Sequence, residues 1–137
     1  MPIKVLIFFY LLISFVSSAQ QPIDSTNFRS PLTIPLILAG NFGELRSNHF
    51  HTGLDIKTGG VIGKKAVSIE AGFVSRIAYS HYGYGRVLYI DHPNGYTSVY
   101  AHLSKFSDNI NKKVIEIQQE NESETFDVVL DSSQLTL

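Results

Sequence analysis

The chain has 137 residues, five histidines, no cysteine and a formal charge of −1. That length suits one domain and is enough to bury a real core. The near-neutral balance excludes the basic face that nucleic acid requires, and the missing cysteines exclude disulfide staples and a lipid-modified N-terminal cysteine.

Lys4 precedes an apolar run, Val5 to Val16, followed by Ser-Ser-Ala-Gln-Gln. A basic start, an apolar centre and a small-x-small end describe a secretory signal peptide, with cleavage expected after Ala19. A spanning helix needs roughly 20 apolar residues, more than this run supplies. Removing residues 1–19 takes Lys4 and leaves ten Lys+Arg against twelve Asp+Glu, a formal −2. The mature chain is therefore expected in the periplasm or outside the cell, with no stable membrane insertion. Without disulfides, such a domain relies on its core or on a metal.

Residues 20–37 read as an irregular lead-in, broken by Pro22, Pro31 and Pro35, with one short strand near Thr33 to Leu38. The stretch Arg46 to Gly60, RSNHFHTGLDIKTGG, then places His49, His51 and Asp55 within seven residues. A helix would put His51 and Asp55 on one face, but Thr52, Gly53 and the Gly59-Gly60 pair argue against a helix. On a straight strand residues four apart lie about 13 Å from each other. Two ligands of one zinc, each bonded at about 2.0–2.2 Å, require the chain to curl, and Gly53 is the residue expected to permit it. Imidazole and carboxylate form an ordinary zinc pair. A surface histidine with a capping aspartate gives the same H-x-x-x-D spacing. His49 faces the same side of a strand as His51, so a His49/His51/Asp55 set is chemically acceptable, although three ligands from one short curl are hard to arrange. A ligating imidazole donates its other N–H to a nearby acceptor, and Glu44 is the candidate.

Further along, Phe73, Ser75, Ile77 and Tyr79 alternate with Val74, Arg76 and Ala78, which predicts a strand. Glu70-Ala71-Gly72 before it reads as the turn of a hairpin. Residues 79–86, YSHYGYGR, read as a glycine-aromatic loop in which His81 is a plain loop histidine. Two β-rich runs, Arg86 to Asp91 and Tyr96 to Tyr100, flank His92-Pro93-Asn94-Gly95, a strong hairpin signal with His92 expected on the surface of the turn. Tyr82, Tyr84 and Tyr100 suit either a peptide groove or ordinary packing. Ile110, Val114 and Ile117 form a helical stripe, and Phe126 to Leu130 is a last strand candidate. Six acidic residues between Glu116 and Asp131 read as a solvated face. Asn121-Glu122-Ser123 fits a glycosylation triplet, a pattern that arises often by chance.

The strings GELRSNHFHTGLDIKT and GYGRVLYIDHPNGYTSVYAHLS together resemble the lysostaphin-type (LytM-like) zinc peptidases, over about Leu38 to Phe106. The resemblance implies an all-β fold: an antiparallel sheet or sandwich spanning residues 38–137, with a short helix after the last core hairpin. It implies one zinc ion held by His51 and Asp55, with His102 of Tyr100-Ala101-His102-Leu103 as the catalytic histidine. It also implies the peptide part of peptidoglycan as substrate. The family takes its third zinc ligand from a later H-x-H, and no histidine follows His102 here, so the domain is expected to lack its final strands and to have impaired or no activity. Two other expectations follow from the same gap. One is a non-catalytic module that binds the cell wall or activates another hydrolase, against which the intact H-x-x-x-D speaks. The other is a fragment with exposed sheet edges that does not fold stably.

Overall fold

The computed structural model describes residues 28–135. The expected signal peptide and residues 20–27 of the lead-in lie outside the described residues. Among the described residues pairing is antiparallel throughout, in two sheets with one helix. The order is β1 (Leu38–Gly40), β2 (Asp55–Ile56), β3 (Phe73–Tyr79), β4 (Arg86–Asp91), β5 (Thr97–Tyr100), α1 (Asp108–Glu120) and β6 (Phe126–Val129). Strands β1 and β2 form a ribbon, and β5-β4-β3-β6 form the main sheet. This is the antiparallel fold with a helix after the core hairpin that the sequence predicts. No helix among the described residues is long and apolar enough to cross a membrane.

The β4–β5 hairpin forms where Asn-Gly demands it. Gly95 has φ +82°, a value glycine adopts without strain. Strand β3 departs from simple alternation. Its register with β4 shifts between Val74 and Arg76, leaving Ser75 as the extra residue of a bulge. Val74 and Ile77, three apart and expected on opposite faces, are therefore both fully buried. The bend at Glu70-Ala71-Gly72 does not join two strands, because β3 takes its partners from β4 and β6. A Cβ on Gly72 would run into the Asp91 carbonyl oxygen and His92, so this glycine serves close backbone approach.

The lead-in is not a strand at Thr33 to Leu38. Pro31 and Pro35 lack the N–H a ladder needs, and regular pairing starts only at Leu38. Before that the chain is held point by point, with Val67 N–H donating to Pro31 O (2.9 Å) and Arg29 N–H to Ile69 O (2.8 Å).

Helix α1 buries the predicted stripe, Ile110, Val114 and Ile117, against Val74, Ile77, Leu88, Ile90, Phe106, Phe126 and Leu130. Asp108 sits in its first turn, where a negative charge suits the helix dipole. The acidic tail is more than a solvated face. Asp127 of β6 takes a two-point contact from Arg76 of β3, with Nε to Oδ1 at 2.6 Å and Nη2 to Oδ2. That guanidinium holds Asp127 below the usual carboxylate range, and the carboxylate raises Arg76 further above its own.

Ile77 is 0 % exposed, so Ile77→Ala should destabilise the chain by about 2–5 kcal/mol in urea unfolding. The Asp127 contribution is present above the ordinary carboxylate pKa, about 3.9, and is lost as pH falls through the lower folded value. Urea unfolding followed from neutral pH into that acid range should show a shallower acid decline for Asp127→Asn than for the unmodified chain.

Candidate functional site

Segment 40–44 backs both predicted ligands. Gly40 in β1 stands opposite Asp55 in β2. Two residues further, the chain turns out into a loop that returns at His51, closed by a bridge between Leu45 and Phe50. His51 N–H donates to Glu44 O (2.8 Å), and Gly43 N–H donates to His51 O (2.7 Å). One short stretch of backbone therefore carries both ends of the H-x-x-x-D interval, and this produces the curl. Gly53 does not have a positive φ, and a Cβ there would lie 3.8 Å from His51 Nε2, an ordinary contact. The curl comes from pairing to segment 40–44 and not from glycine freedom at position 53.

The result brings His51 Nε2 to 3.3 Å from Asp55 Oδ1. His51 Nδ1 lies 2.9 Å from Asn41 O. A carbonyl oxygen only accepts, so Nδ1 carries the proton and donates it. In the neutral ring Nε2 is then a bare lone pair facing a carboxylate oxygen. Two acceptors at that distance call for a cation between them, either a proton or a metal. Two bonds of about 2.1 Å at a roughly tetrahedral angle span about the same 3.3 Å. The pair therefore fits two corners of a zinc site in both donor chemistry and spacing. The acceptor that orients His51 is Asn41 O, not the expected Glu44 side chain.

Arg46 completes the surroundings. Its Nη2 donates to Asp55 Oδ2 at 2.7 Å and lies 3.3 Å from Glu44 Oε2. The contact of the same Nη2 with His51 Nδ1, 3.4 Å, brings two donors together and is no hydrogen bond. The Arg46 hydrogen bond is the largest influence holding Asp55 below its usual pKa, and burial opposes it. The charges of His51, Arg46 and His102 push in the same direction as Arg46's hydrogen bond.

His102 follows β5 and is exposed. Its φ is +55°, a left-handed value uncommon outside glycine, which histidine, asparagine and aspartate adopt more often than other residues. Two backbone bonds hold the kink. His102 N–H donates to Tyr84 O (2.9 Å), and Leu103 N–H donates to Arg86 O (3.1 Å). The Tyr84 ring stands edge-on to the His102 ring, with centroids 6.4 Å apart. Its hydroxyl lies 3.1 Å from Thr52 Oγ1, inside the H-x-x-x-D interval. Tyr84 thus touches both halves of the site, a role the glycine-aromatic loop hinted at only through its composition.

The other expected residues lie elsewhere. His49 contacts its neighbour, with Nδ1 2.6 Å from Asn48 Oδ1. Among the described residues no three His, Cys, Asp or Glu side chains converge as a metal cluster, so the His49/His51/Asp55 set does not form. His81 sits 3.5 Å from Glu124 and 3.4 Å from the Tyr79 hydroxyl, an exposed loop pairing. His92 is not a surface turn residue, being 6 % exposed. Its Nδ1 donates to Ala71 O (2.9 Å), and its Nε2 lies 2.8 Å from Ser98 Oγ. Tyr100 belongs to the same network and not to a groove, since its hydroxyl accepts from Ile69 N–H at 2.9 Å.

A family model described as peptidase family M23 matches residues 49–122, which include His51, Asp55 and His102. The chain belongs to peptidase family M23. No curated protein and no solved structure matches it. Family M23 consists of zinc-dependent metallopeptidases that act in general on peptidoglycan peptides. The matched span of this M23 domain runs from the loop carrying His51 and Asp55 through the hairpin to the end of α1.

Gly40 tests how tightly the M23 loop is packed. A Cβ there would lie 2.5 Å from both Arg46 Nη2 and Asp55 Oδ2. Gly40→Ala should displace that ion pair and destabilise the chain by about 1–3 kcal/mol in urea unfolding. In NMR spectra the ring signals of His51 should move while the methyls of Ile77 and Ile110 stay in place.

Proposed function

We propose that the chain is an exported zinc metalloendopeptidase acting on peptide cross-links of peptidoglycan. The observation that carries this is the 3.3 Å approach of His51 Nε2 to Asp55 Oδ1, with Nδ1 tied to a backbone carbonyl. Export rests on the basic, apolar and small-residue order of residues 1–19.

His51 and Asp55 would hold the ion. When bound, zinc supplies a Lewis acid for the scissile carbonyl and lowers the pKa of water. His102 stands at the end of the neighbouring hairpin, beside the Tyr84 ring whose hydroxyl reaches Thr52. It donates a hydrogen bond to the developing oxyanion, or moves a proton between water and the leaving amine. Tyr84 keeps His102 in its kinked backbone and ties it to the ligand loop through Thr52. Two protein ligands hold zinc more weakly than three, so a turnover well below that of a three-ligand site is expected.

The absence of a third ligand among the described residues favours a second reading, a non-catalytic wall-binding or hydrolase-activating module. Zinc content of the purified chain, measured with and without His51→Ala, separates the two. The peptidase reading expects zinc in the unmodified chain and its loss in the variant, together with release of free amino groups from purified peptidoglycan that stops in His102→Ala. Equal zinc in both chains ends the metal proposal. Peptidoglycan binding without amine release supports the module.

A further inference from the structure

We infer that Arg46 is a positioning residue that confines Asp55 to a single metal-facing oxygen. The inference rests on the zinc site proposed above and adds a residue to it.

The two carboxylate oxygens of Asp55 have different occupants. Oδ1 faces His51 Nε2 at 3.3 Å, and Oδ2 accepts from Arg46 Nη2 at 2.7 Å. Arg46 is itself anchored, because its Nη2 also reaches Glu44 Oε2 at 3.3 Å. Glu44 Oε2 accepts from Asn41 N–H at 3.2 Å, and Asn41 O accepts from His51 Nδ1 at 2.9 Å. Asp55, Arg46, Glu44, Asn41 and His51 therefore form a ring of polar contacts whose open gap is the space between Nε2 and Oδ1.

An ordinary surface ion pair does not account for this ring. Arg46 Nε is buried and has no hydrogen-bond partner. Half-exposed ion pairs add little to stability, and an unpaired buried N–H takes some away. The guanidinium thus forgoes a bond at Nε while Nη2 points at Asp55 and Glu44. Gly40 leaves the space that this requires. A carboxylate with both oxygens free can bind a cation through one or both. With Oδ2 held by Arg46, Asp55 offers Oδ1 alone, and the direction of that oxygen is fixed before any ion arrives. Partners of this kind, behind a ligand, commonly change metal affinity 10–100-fold.

The test uses the metal-depleted mature chain, titrated with zinc against a chromophoric chelator and, separately, with cobalt(II) followed by visible absorption. Arg46→Met should weaken zinc binding about tenfold or more. Its cobalt band should lose intensity as the released Oδ2 joins the metal and coordination number rises. Arg46→Lys, which keeps a donor and a charge, should recover part of the affinity. Glu44→Gln, a milder change to the same anchor, should weaken binding in the same direction and carries the test if Arg46→Met fails to keep the Ile77, Ile90 and Ile110 methyl signals. Zinc binding by Arg46→Met as tight as or tighter than the unmodified chain, with an unchanged cobalt band, overturns the inference while leaving the site intact. If His51→Ala binds zinc as well as the unmodified chain, or neither binds it, the zinc site fails and the inference fails with it.

Discussion

Two side chains, His51 and Asp55, are held toward each other at the start of this domain. The His51 ring is oriented by Nδ1, which donates to Asn41 O. The Asp55 carboxylate is oriented by Oδ2, which accepts from Arg46. Each commitment is a single hydrogen bond that contributes modestly to stability. Together they leave Nε2 and Oδ1 facing across a gap that only a cation relieves. The fold contributes mainly by making both commitments from one short stretch, Asn41 to Arg46.

The main sheet serves this arrangement at one remove. Helix α1 and strands β3, β4 and β6 build a core around Val74 and Ile77, and that core does not include the loop carrying His51 and Asp55. What links them is the hairpin, which delivers His102 at the end of β5, and the loop before β4, which delivers Tyr84. The left-handed backbone at His102 is held by Tyr84 O and Arg86 O, both belonging to residues at the start of β4 or just before it. A sparsely populated conformation of this kind persists where the neighbouring structure over-determines it.

Much of this was legible in the residues. The Asn-Gly turn marked the hairpin, and the spacing of Ile110, Val114 and Ile117 marked the helix with its buried face. His51, Asp55 and His102 were singled out by the resemblance of two strings, and the fold brings the first two side by side. What was not legible depended on contacts far apart in sequence. The bulge at Ser75 breaks a period of two that local pattern treats as unbroken. His92 looked like a turn residue, but the bend at Ala71 and Gly72 packs over it. The curl was assigned to Gly53, whereas pairing to a segment some ten residues earlier creates it. Arg46 carries no signal at all in one dimension, since an arginine nine positions from an aspartate is unremarkable until a loop closes between them.

The burial of His92 also matters at a distance. It bolts the far tip of the β4–β5 hairpin to residues 69–72, through Ala71 O on one side and Ser98 and Tyr100 on the other. His102 emerges at the opposite end of that hairpin, roughly a strand's length away. The hairpin is thus pinned along its length, from the buried His92 at the tip to Tyr100, two residues before the exposed imidazole.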